Sequence, residues 1–307
     1  MNLLRFLPLV SGLLLAPFLL GVVNRVKAKF AGRTGSPLFQ AYFDLLKLLR
    51  KGAVYSRTTT WVFRAGPVVG LAGLVGALTL LPAGRHAPAA VSFTGDIFLL
   101  AYFLGVVRFV TVLAALDTGS SFEGMGASRE VQFSALAEPA LLVAFASLAR
   151  LTGGLGLTEI TTTLDFATWK VAGPALALIA LALFIVFLTE NSRIPVDDPN
   201  THLELTMIHE VMILDHSGPD LAFILYGSAL KFWILGALIV NVALSWVGGS
   251  ATVTICVFFV GMLLLAMGVG VVESVMARYR LLKIGRMLWV GIALSVLAFT
   301  LVVRFTT

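Results

Sequence analysis

Carboxylate side chains are concentrated in one short stretch of this 307-residue chain. Seven of the 16 acidic residues lie between positions 190 and 220: Glu190, Asp197, Asp198, Glu204, Glu210, Asp215 and Asp220. The segment LELTMIHEVMIL between them is strongly apolar, unlike a solvated acidic loop. Burial raises the pKa of a carboxyl group towards neutrality, and a neighbouring base lowers it. A row of such groups can pass protons when their pKa values lie near the working pH, so this stretch predicts proton transfer.

A buried helix is expected within the acidic stretch. Thr201 and Glu204 fit the T-x-x-E capping box that begins many helices. The helix that they would open, Leu203 to Leu214, is apolar nearly all round and is therefore predicted to be buried. Glu210 would then be a carboxylate within protein or at the membrane edge. Capping alone is the structural alternative for Glu204.

Three further ionisable residues lie inside long apolar segments, where charges are costly and usually face a bundle interior or a water-filled cavity. Arg108 is near the middle of LLAYFLGVVRFVTVLAAL, Glu138 directly precedes Pro139, and Lys231 lies within a long apolar run. One interpretation is a role in ion transfer. The alternatives are that Arg108 and Glu138 pair across helices and that Lys231 extends to the membrane surface.

Other carboxylates near the same predicted ends of the apolar segments could extend the proton-transferring row. They are Glu123, Glu130, Glu138, Glu190 and Glu273. For Glu190 the structural alternative is a local i,i+3 pair with Arg193.

The residue types present exclude most redox and metal chemistry within this chain. Cys256 is the one cysteine, so the chain cannot hold an iron–sulfur cluster or a nickel–iron centre by itself. HEVMILDH lacks the second histidine at i+4 that a zinc protease helix needs, which makes His202, His209 and His216 weak metal candidates. Any redox chemistry must therefore belong to another subunit.

The elements that position these groups are predicted to be membrane-spanning helices. Hydrophobic residues make up 59% of the chain and charged residues 12%, about half the share in soluble domains. This composition excludes a water-soluble enzyme, a disordered protein and a secreted disulfide scaffold. Eight stretches approach the length of about 20 residues that a span needs: 6–23, 61–82, 97–116, 131–149, 171–189, 221–247, 251–272 and 287–303. The sequence predicts an all-α polytopic membrane protein with eight transmembrane helices and one integral membrane domain, 1–307.

The distribution of basic residues predicts the orientation. Fifteen of the 22 Lys and Arg residues fall in the odd-numbered loops and five in the termini and even-numbered loops. By the positive-inside rule the odd loops are cytoplasmic and both termini face outward. The formal charge of +6 is thus interpreted as topology and attraction to lipid headgroups, with nucleic-acid binding as the alternative. Short cytoplasmic loop helices are also expected: Leu38 to Leu49 suits an interfacial helix or a helix packed on other loops.

Several motifs resemble the subunit-1 family of respiratory complex I. They are ENSRIPVDDP with THLELTMIHEVMILDHSG, GRTGSPLFQAYFDLLKLL in the first loop, and LDTGSSFEGMGASRE before the fourth span. Within that family the sequence is most similar to the membrane anchor subunits of group 4 nickel–iron hydrogenases, of the formate hydrogenlyase or hydrogenase-4 type. The similarity extends over nearly the whole chain.

The resemblance implies the heel of an L-shaped complex in the cytoplasmic membrane of a prokaryote. Such a subunit docks large and small hydrogenase-like peripheral subunits and an iron–sulfur subunit through its cytoplasmic loops, and lies beside antiporter-like membrane subunits. The cofactors implied are iron–sulfur clusters, and possibly a nickel–iron centre, in the partner subunits. Residues assigned to the interface with the peripheral arm are Arg33, Gln40, Asp44, Lys47, Arg129, Arg193 and Asp198.

The residues assigned to proton transfer and coupling come partly from these motifs. The acidic-loop motif includes Glu190, Asp197, Glu204, Glu210 and Asp215, and the GASRE motif includes Glu130. Outside the motifs are Glu138, Glu273, Arg108 and Lys231.

The sequence departs from the quinone-reducing members of the family. Val196 stands where those members usually have Phe, and Asp215-His216-Ser217-Gly218 stands where they commonly have Glu-Tyr-Ser-Gly. The leading hypothesis is therefore a non-catalytic anchor and coupling subunit that links redox chemistry in a hydrogenase-type arm to pumping of protons or Na⁺. The alternatives are the quinone-site subunit of a complex I-like dehydrogenase and a stand-alone secondary transporter.

Overall fold

The computed structural model describes residues 3–197 and 207–306, and these residues contain no strand. Eight of the helices are long and apolar enough to cross a membrane, as the hydropathy pattern predicted. They are α1 (Leu7–Phe30), α3 (Trp61–Thr79), α4 (Asp96–Asp117), α5 (Ser121–Thr152), α7 (Phe166–Glu190), α9 (Gly218–Ala243), α10 (Ala251–Val275) and α11 (Leu281–Thr306). Between them lie the shorter α2 (Gln40–Leu49), α6 (Leu157–Thr163) and α8 (His209–Met212).

Helix α5 differs most from its predicted span. It begins at Ser121 rather than at residue 131, so the GASRE segment is helical and does not lie in a loop. Its 32 residues give a helix about 48 Å long, whereas a hydrocarbon core is about 30 Å thick. The charges of Glu123, Arg129 and Glu130 lower the hydropathy of its first turns without ending the helix. Apolar length alone therefore placed the start of α5 too late.

Loops of odd number meet at one end of the bundle and loops of even number at the other, as predicted. At the first end, the backbone N–H of Val54 donates to Ser217 Oγ at 2.9 Å, and that of Tyr279 donates to the carbonyl of Pro195 at 2.9 Å. At the second end, Trp169 Nε1 donates to Ser245 Oγ at 2.8 Å. Which end faces the cytoplasm stays a prediction from the basic residues.

Helix α9 lies in the middle of the bundle and contacts α1, α2, α3, α7 and α10. Its second half is buried almost continuously. Phe232 on α9 packs edge-on against Phe187 of α7, with ring centroids 4.8 Å apart. Lys231 is the neighbour of Phe232 in sequence, so the packing of α9 holds its ammonium group inside the bundle rather than at a membrane surface.

Helix α2 packs against α1 and α9 and leaves an apolar face open. The hydroxyl of Tyr42 donates to the carbonyl of Leu14, halfway along α1. Gly21 permits the approach, because a Cβ at this position would lie 2.0 Å from the carbonyl oxygen of Leu38. Phe43 and Leu46 are exposed on the other side. This arrangement favours the interfacial interpretation of the segment over packing on other loops.

Candidate functional site

A buried carboxylate lies between two cations at the centre of the bundle. Glu190, the last residue of α7, accepts Arg108 Nη2 of α4 at 2.6 Å on one oxygen. Its other oxygen lies 2.8 Å from Lys231 Nζ of α9. Only 4% of the Glu190 side chain is exposed. The alternatives in which Glu190 pairs with Arg193 and Lys231 extends to the membrane surface are therefore wrong.

Arg108 joins this carboxylate to a second one near the surface of the bundle. Its Nη1 lies 3.3 Å from Glu138 Oε2 of α5, which confirms the predicted pairing of the two residues across helices. The Glu138 side chain is 47% exposed although it lies inside a membrane-length helix. The network thus runs from the interior of the bundle to one of its lateral faces.

Glu130 adds a third carboxylate to the network. It lies two turns before Glu138 on α5 and shares a cavity with Arg108, Glu190 and Lys231. Three carboxylates and two cations give this group one net negative charge when all five residues are ionised. Uptake of one proton makes it neutral, so the group can hold or release a single proton without leaving a large uncompensated charge.

The cavity enclosed by these residues, here called the ion-pair cavity, has a volume of about 60 Å³. Helices α3, α4 and α9 form most of its wall, and His209 and His216 lie at its edge. A water molecule needs about 10–15 Å³ of such space and two to four polar partners. The cavity therefore has both the room and the polar groups to hold water.

A second cavity, here called the loop cavity, lies between α1, α2 and α9 at the odd-loop end and has a volume of about 210 Å³. Pro17, Leu20 and Leu45 give it an apolar side. Asp44, Arg193, Asp197 and Glu210 give it a charged side.

Glu273 lies in a separate ion-pair group that ties α10 to the odd-loop end. Its side chain is fully buried, with Lys27 Nζ of α1 at 2.7 Å and Arg193 Nη1 at 3.3 Å. The Arg193 guanidinium also lies 5.5 Å from the ring centroid of Phe232. The structure thus places Glu273 at a junction of α1, α10 and the loop after α7, apart from the network around Glu190.

Asp197 organises the loop after α7. Its carboxylate lies 2.8 Å from Arg278 Nη2 and accepts the backbone N–H groups of Ile208 at 2.9 Å and His209 at 3.3 Å. These are the donors at the start of α8, so Asp197 caps this helix. Residues 207, 208, 213 and 214 are not helical. The predicted helix from Leu203 to Leu214 is therefore wrong in extent, because capping by Asp197 starts the helix at His209.

The remaining acidic-stretch residues are distributed unevenly. Glu210 is half-buried in the wall of the loop cavity, whereas Asp215 is exposed and does not lie in a buried row. Glu204 and Asp198 lie outside the described residues, as does the capping-box residue Thr201.

Residues assigned to a peripheral interface lie at the odd-loop end. Arg33, Asp44 and Lys47 are exposed, and Gln40 Nε2 donates to Asp44 Oδ1 at 2.8 Å. Arg129 donates from Nη1 to the carbonyl of Met207 at 2.9 Å and so joins α5 to the loop before α8. This end therefore presents side chains of both charges on loops that are tied to the helices.

Two histidines are functional candidates that sequence reasoning considered only as weak metal ligands. The ring of His216 stacks on Phe63 at 3.9 Å, and burial lowers its pKa from 6.5 to about 4 although Asp220 and Asp215 oppose the shift. Burial also lowers the pKa of His209 to about 4, and the charges of Lys231 and Arg193 add to that effect. Within the described residues, no group of three or more His, Cys, Asp or Glu side chains is arranged to hold a metal ion. Their proximity to the ion-pair cavity was the signal that the sequence could not show.

Eight membrane-length helices around a charged interior define a multi-pass membrane protein. A family model described as NADH dehydrogenase matches residues 4–303, and the chain belongs to that family. This match confirms the resemblance to subunit 1 of complex I.

Relatives of known description include two hydrogenase-type proteins of Escherichia coli (strain K12). Formate hydrogenlyase subunit 4 is 29% identical and the match covers 95% of this chain and 96% of the relative. Hydrogenase-4 component C is 30% identical, with 93% and 91% covered. A membrane subunit of the NADH-quinone oxidoreductase of Rubrobacter xylanophilus is 27% identical over 55% of this chain and 51% of the relative.

A solved structure with the same fold comes from the membrane-bound sulfane sulfur reductase, an archaeal respiratory membrane complex. The TM-score is 0.81, with 18% identity and 98% of both chains covered. At this identity the similarity establishes the fold.

Proposed function

We propose that this chain is the membrane anchor and ion-translocation coupling subunit of a multisubunit group 4 hydrogenase or formate hydrogenlyase-like complex in the cytoplasmic membrane of a prokaryote. Its partners would be hydrogenase-like large and small peripheral subunits, an iron–sulfur subunit and antiporter-like membrane subunits. Iron–sulfur clusters in those partners, and a nickel–iron centre where hydrogenase activity is kept, would perform the redox chemistry. The whole chain, residues 1–307, would act as one integral membrane domain.

The observation that most supports this proposal is the position of the Glu190 carboxylate between Arg108 and Lys231. Glu190 is also the residue from which the chain enters the loop that Asp197 and Arg278 fix at the odd-loop end. A displacement of that loop by a docked partner would change the distances from Glu190 to its two cations. Because the charges lie in a low-dielectric interior, such a change alters the proton affinity of the whole group.

The half-exposed carboxylate of Glu138 supports a membrane partner at the lateral face of α5. A charge facing lipid at the middle of a span costs several kcal/mol, by scales that give about 2.5–3.5 kcal/mol. Arg108 pairs with Glu138 from the inside only. A partner helix that presents a polar or cationic side chain would cover the open side, and it would give the proton on this network a route into the neighbouring subunit.

The test is a Glu190→Gln variant in the complex purified through a tag on this chain and reconstituted in liposomes. Reduced ferredoxin or formate drives the reaction, and a pH-sensitive dye or a sodium-flux measurement reports pumping. We expect pumping to be lost while the peripheral subunits still reduce or oxidise a viologen dye. Glu159→Gln, an exposed carboxylate at the even-loop end, is the matched control and should pump normally. Normal pumping by Glu190→Gln would overturn the proposal.

A second candidate function is the quinone-site subunit of a complex I-like dehydrogenase. The loop cavity favours it, because an apolar side formed by Pro17, Leu20 and Leu45 faces a charged side formed by Asp44 and Arg193. Such a combination suits a ligand with an apolar tail and a polar head. Competitive inhibition of the reconstituted complex by quinone-site ligands would support this function, and complete indifference would remove it.

A further inference from the structure

The ion-pair cavity and the loop cavity are separated by a wall one residue thick. Four residues occur in the lining of both: Asn191, Ser192, His209 and Ser228. Among these four, His209 is the residue whose side chain can change its protonation state near neutral pH. Amide and hydroxyl groups orient water molecules but do not take up a proton under these conditions.

His209 is held in this wall by its backbone. Its N–H donates to the Asp197 carboxylate at 3.3 Å, and the same carboxylate is fixed by Arg278 at 2.8 Å. Ser192, next to it in the wall, has a left-handed backbone conformation with φ of +48°, which turns the chain sharply after α7. The ring therefore has a defined place between the two cavities while remaining half-buried.

Proton-accepting groups lie on both sides of the wall. Asp44, Asp197 and Glu210 line the loop cavity, and Glu130 and Glu190 line the ion-pair cavity. Volumes of about 210 and 60 Å³ leave room for water on each side. A proton can thus reach the ring from one cavity and leave it into the other.

The charges around the ring keep it neutral at rest. Burial lowers the pKa of His209 to about 4, and the cations Lys231 of α9 and Arg193 of the loop after α7 contribute to this effect. The neighbouring carboxylates oppose these cations from α2, α5, α7, α8 and the loop. Any step that moves the Lys231 ammonium or the Arg193 guanidinium away from the ring raises its proton affinity.

We propose that His209 is the proton-transfer residue that connects the loop cavity to the ion-pair cavity. This inference rests on the proposed coupling function and names the step by which a proton enters the network around Glu190. One ring nitrogen accepts a proton from water in one cavity, and the other nitrogen releases its proton to water in the second cavity. The imidazole ends neutral, no electrons move, and reorientation of the ring restores the starting tautomer.

The test uses His209→Gln and His209→Ala in the reconstituted complex, next to Glu190→Gln. His86→Gln is the control, because His86 lies at the even-loop end with Nδ1 3.1 Å from Thr254 Oγ1. Pumping is normalised to the amount of peripheral subunits that co-purify. We expect pumping by both His209 variants to fall by about a hundredfold, the scale of a lost acid–base group, with the viologen reaction retained. Imidazole in the buffer should restore pumping by His209→Ala, and pyrrole, which has no basic nitrogen, should not.

Two results would overturn the inference. Normal pumping by His209→Gln, with Glu190→Gln inactive, would remove His209 from the path and leave the proposed function standing. Loss of pumping in both His209 variants without restoration by imidazole would assign His209 a structural role only. Normal pumping by Glu190→Gln would instead overturn the proposed function itself, so the two failures are distinguishable.

Discussion

Arg108 of α4 and Glu190 of α7 lie 2.6 Å apart in the interior of the bundle, and the same guanidinium reaches Glu138 with its other nitrogen. One residue thus connects a buried carboxylate to a half-exposed one. Both acids depend on Arg108 for charge compensation, whereas Lys231 compensates Glu190 alone. The consequences for stability can be measured with single and double substitutions.

Arg108→Gln should destabilise the protein more than the double variant Arg108→Gln/Glu190→Gln. Removal of one partner from a buried ion pair costs about 3–5 kcal/mol, because it leaves an uncompensated charge, whereas removal of both partners costs far less. Thermal unfolding of the purified protein in detergent gives the three Tm values needed for a double-mutant cycle with Glu190→Gln. If the effects of the two single substitutions add, the two residues are not coupled and the network is not as described.

Glu273→Gln should lower Tm more than Lys27→Gln. Glu273 is fully buried between two cations, so its neutralisation leaves both Lys27 and Arg193 without their carboxylate. The Lys27→Gln variant keeps the pair between Arg193 and Glu273, and the Lys27 side chain is already 21% exposed. Equal or reversed Tm changes would show that Glu273 does not act as a junction of α1, α10 and the loop.

The partner of Glu190 illustrates how far the sequence could go. The cost of charge inside apolar segments predicted that Arg108 and Glu138 would pair, and the structure confirms it. For Glu190 the local rule favoured Arg193, three residues later. Helix α7 ends at Glu190, however, and the positive φ of Ser192 directs Arg193 towards Glu273 instead. Local spacing could not predict a partner that depends on where the chain leaves the helix.

The same reason explains why the histidines were missed. His209 and His216 have no sequence spacing that indicates a site, and their importance comes from two cavities formed by helices far apart in sequence. The eight spans, by contrast, follow from composition and segment length, which are local properties.

His216→Phe should make stability less dependent on pH between about 4 and 6.5. The pKa of His216 is near 6.5 when the chain is unfolded and about 4 when folded, because the buried ring is held neutral against Phe63. Over this window the unfolded state binds a proton that the folded state does not, so stability falls as the pH falls. The full shift corresponds to about 3 kcal/mol.

Tm measured at several pH values checks this prediction. His209 has a similarly lowered pKa, so we expect the slope of Tm against pH to fall by about half in His216→Phe rather than to vanish. Phenylalanine keeps an aromatic ring for stacking on Phe63, which separates the loss of the titrating group from a loss of packing. An unchanged slope would mean that His216 titrates alike in the folded and unfolded chain.

Gly21→Ala should displace α2 from α1. The added Cβ would lie 2.0 Å from the carbonyl oxygen of Leu38, a backbone atom that cannot rotate away, so the segment before α2 must move. Overpacking of this kind costs about 1–3 kcal/mol. We expect a lower Tm and faster tryptic cleavage after Lys47, which lies exposed on α2.

The matched control is Gly268→Ala on α10, where a Cβ would meet no atom within 4 Å. Alanine is favoured over glycine within a helix by up to about 1 kcal/mol, so this substitution should leave Tm unchanged or raise it. Because α2 forms one side of the loop cavity through Ala41, Asp44 and Leu45, its displacement should also weaken pumping by the reconstituted complex. Equal cleavage rates in both glycine variants would show that contact with α1 at Gly21 does not hold α2 in place.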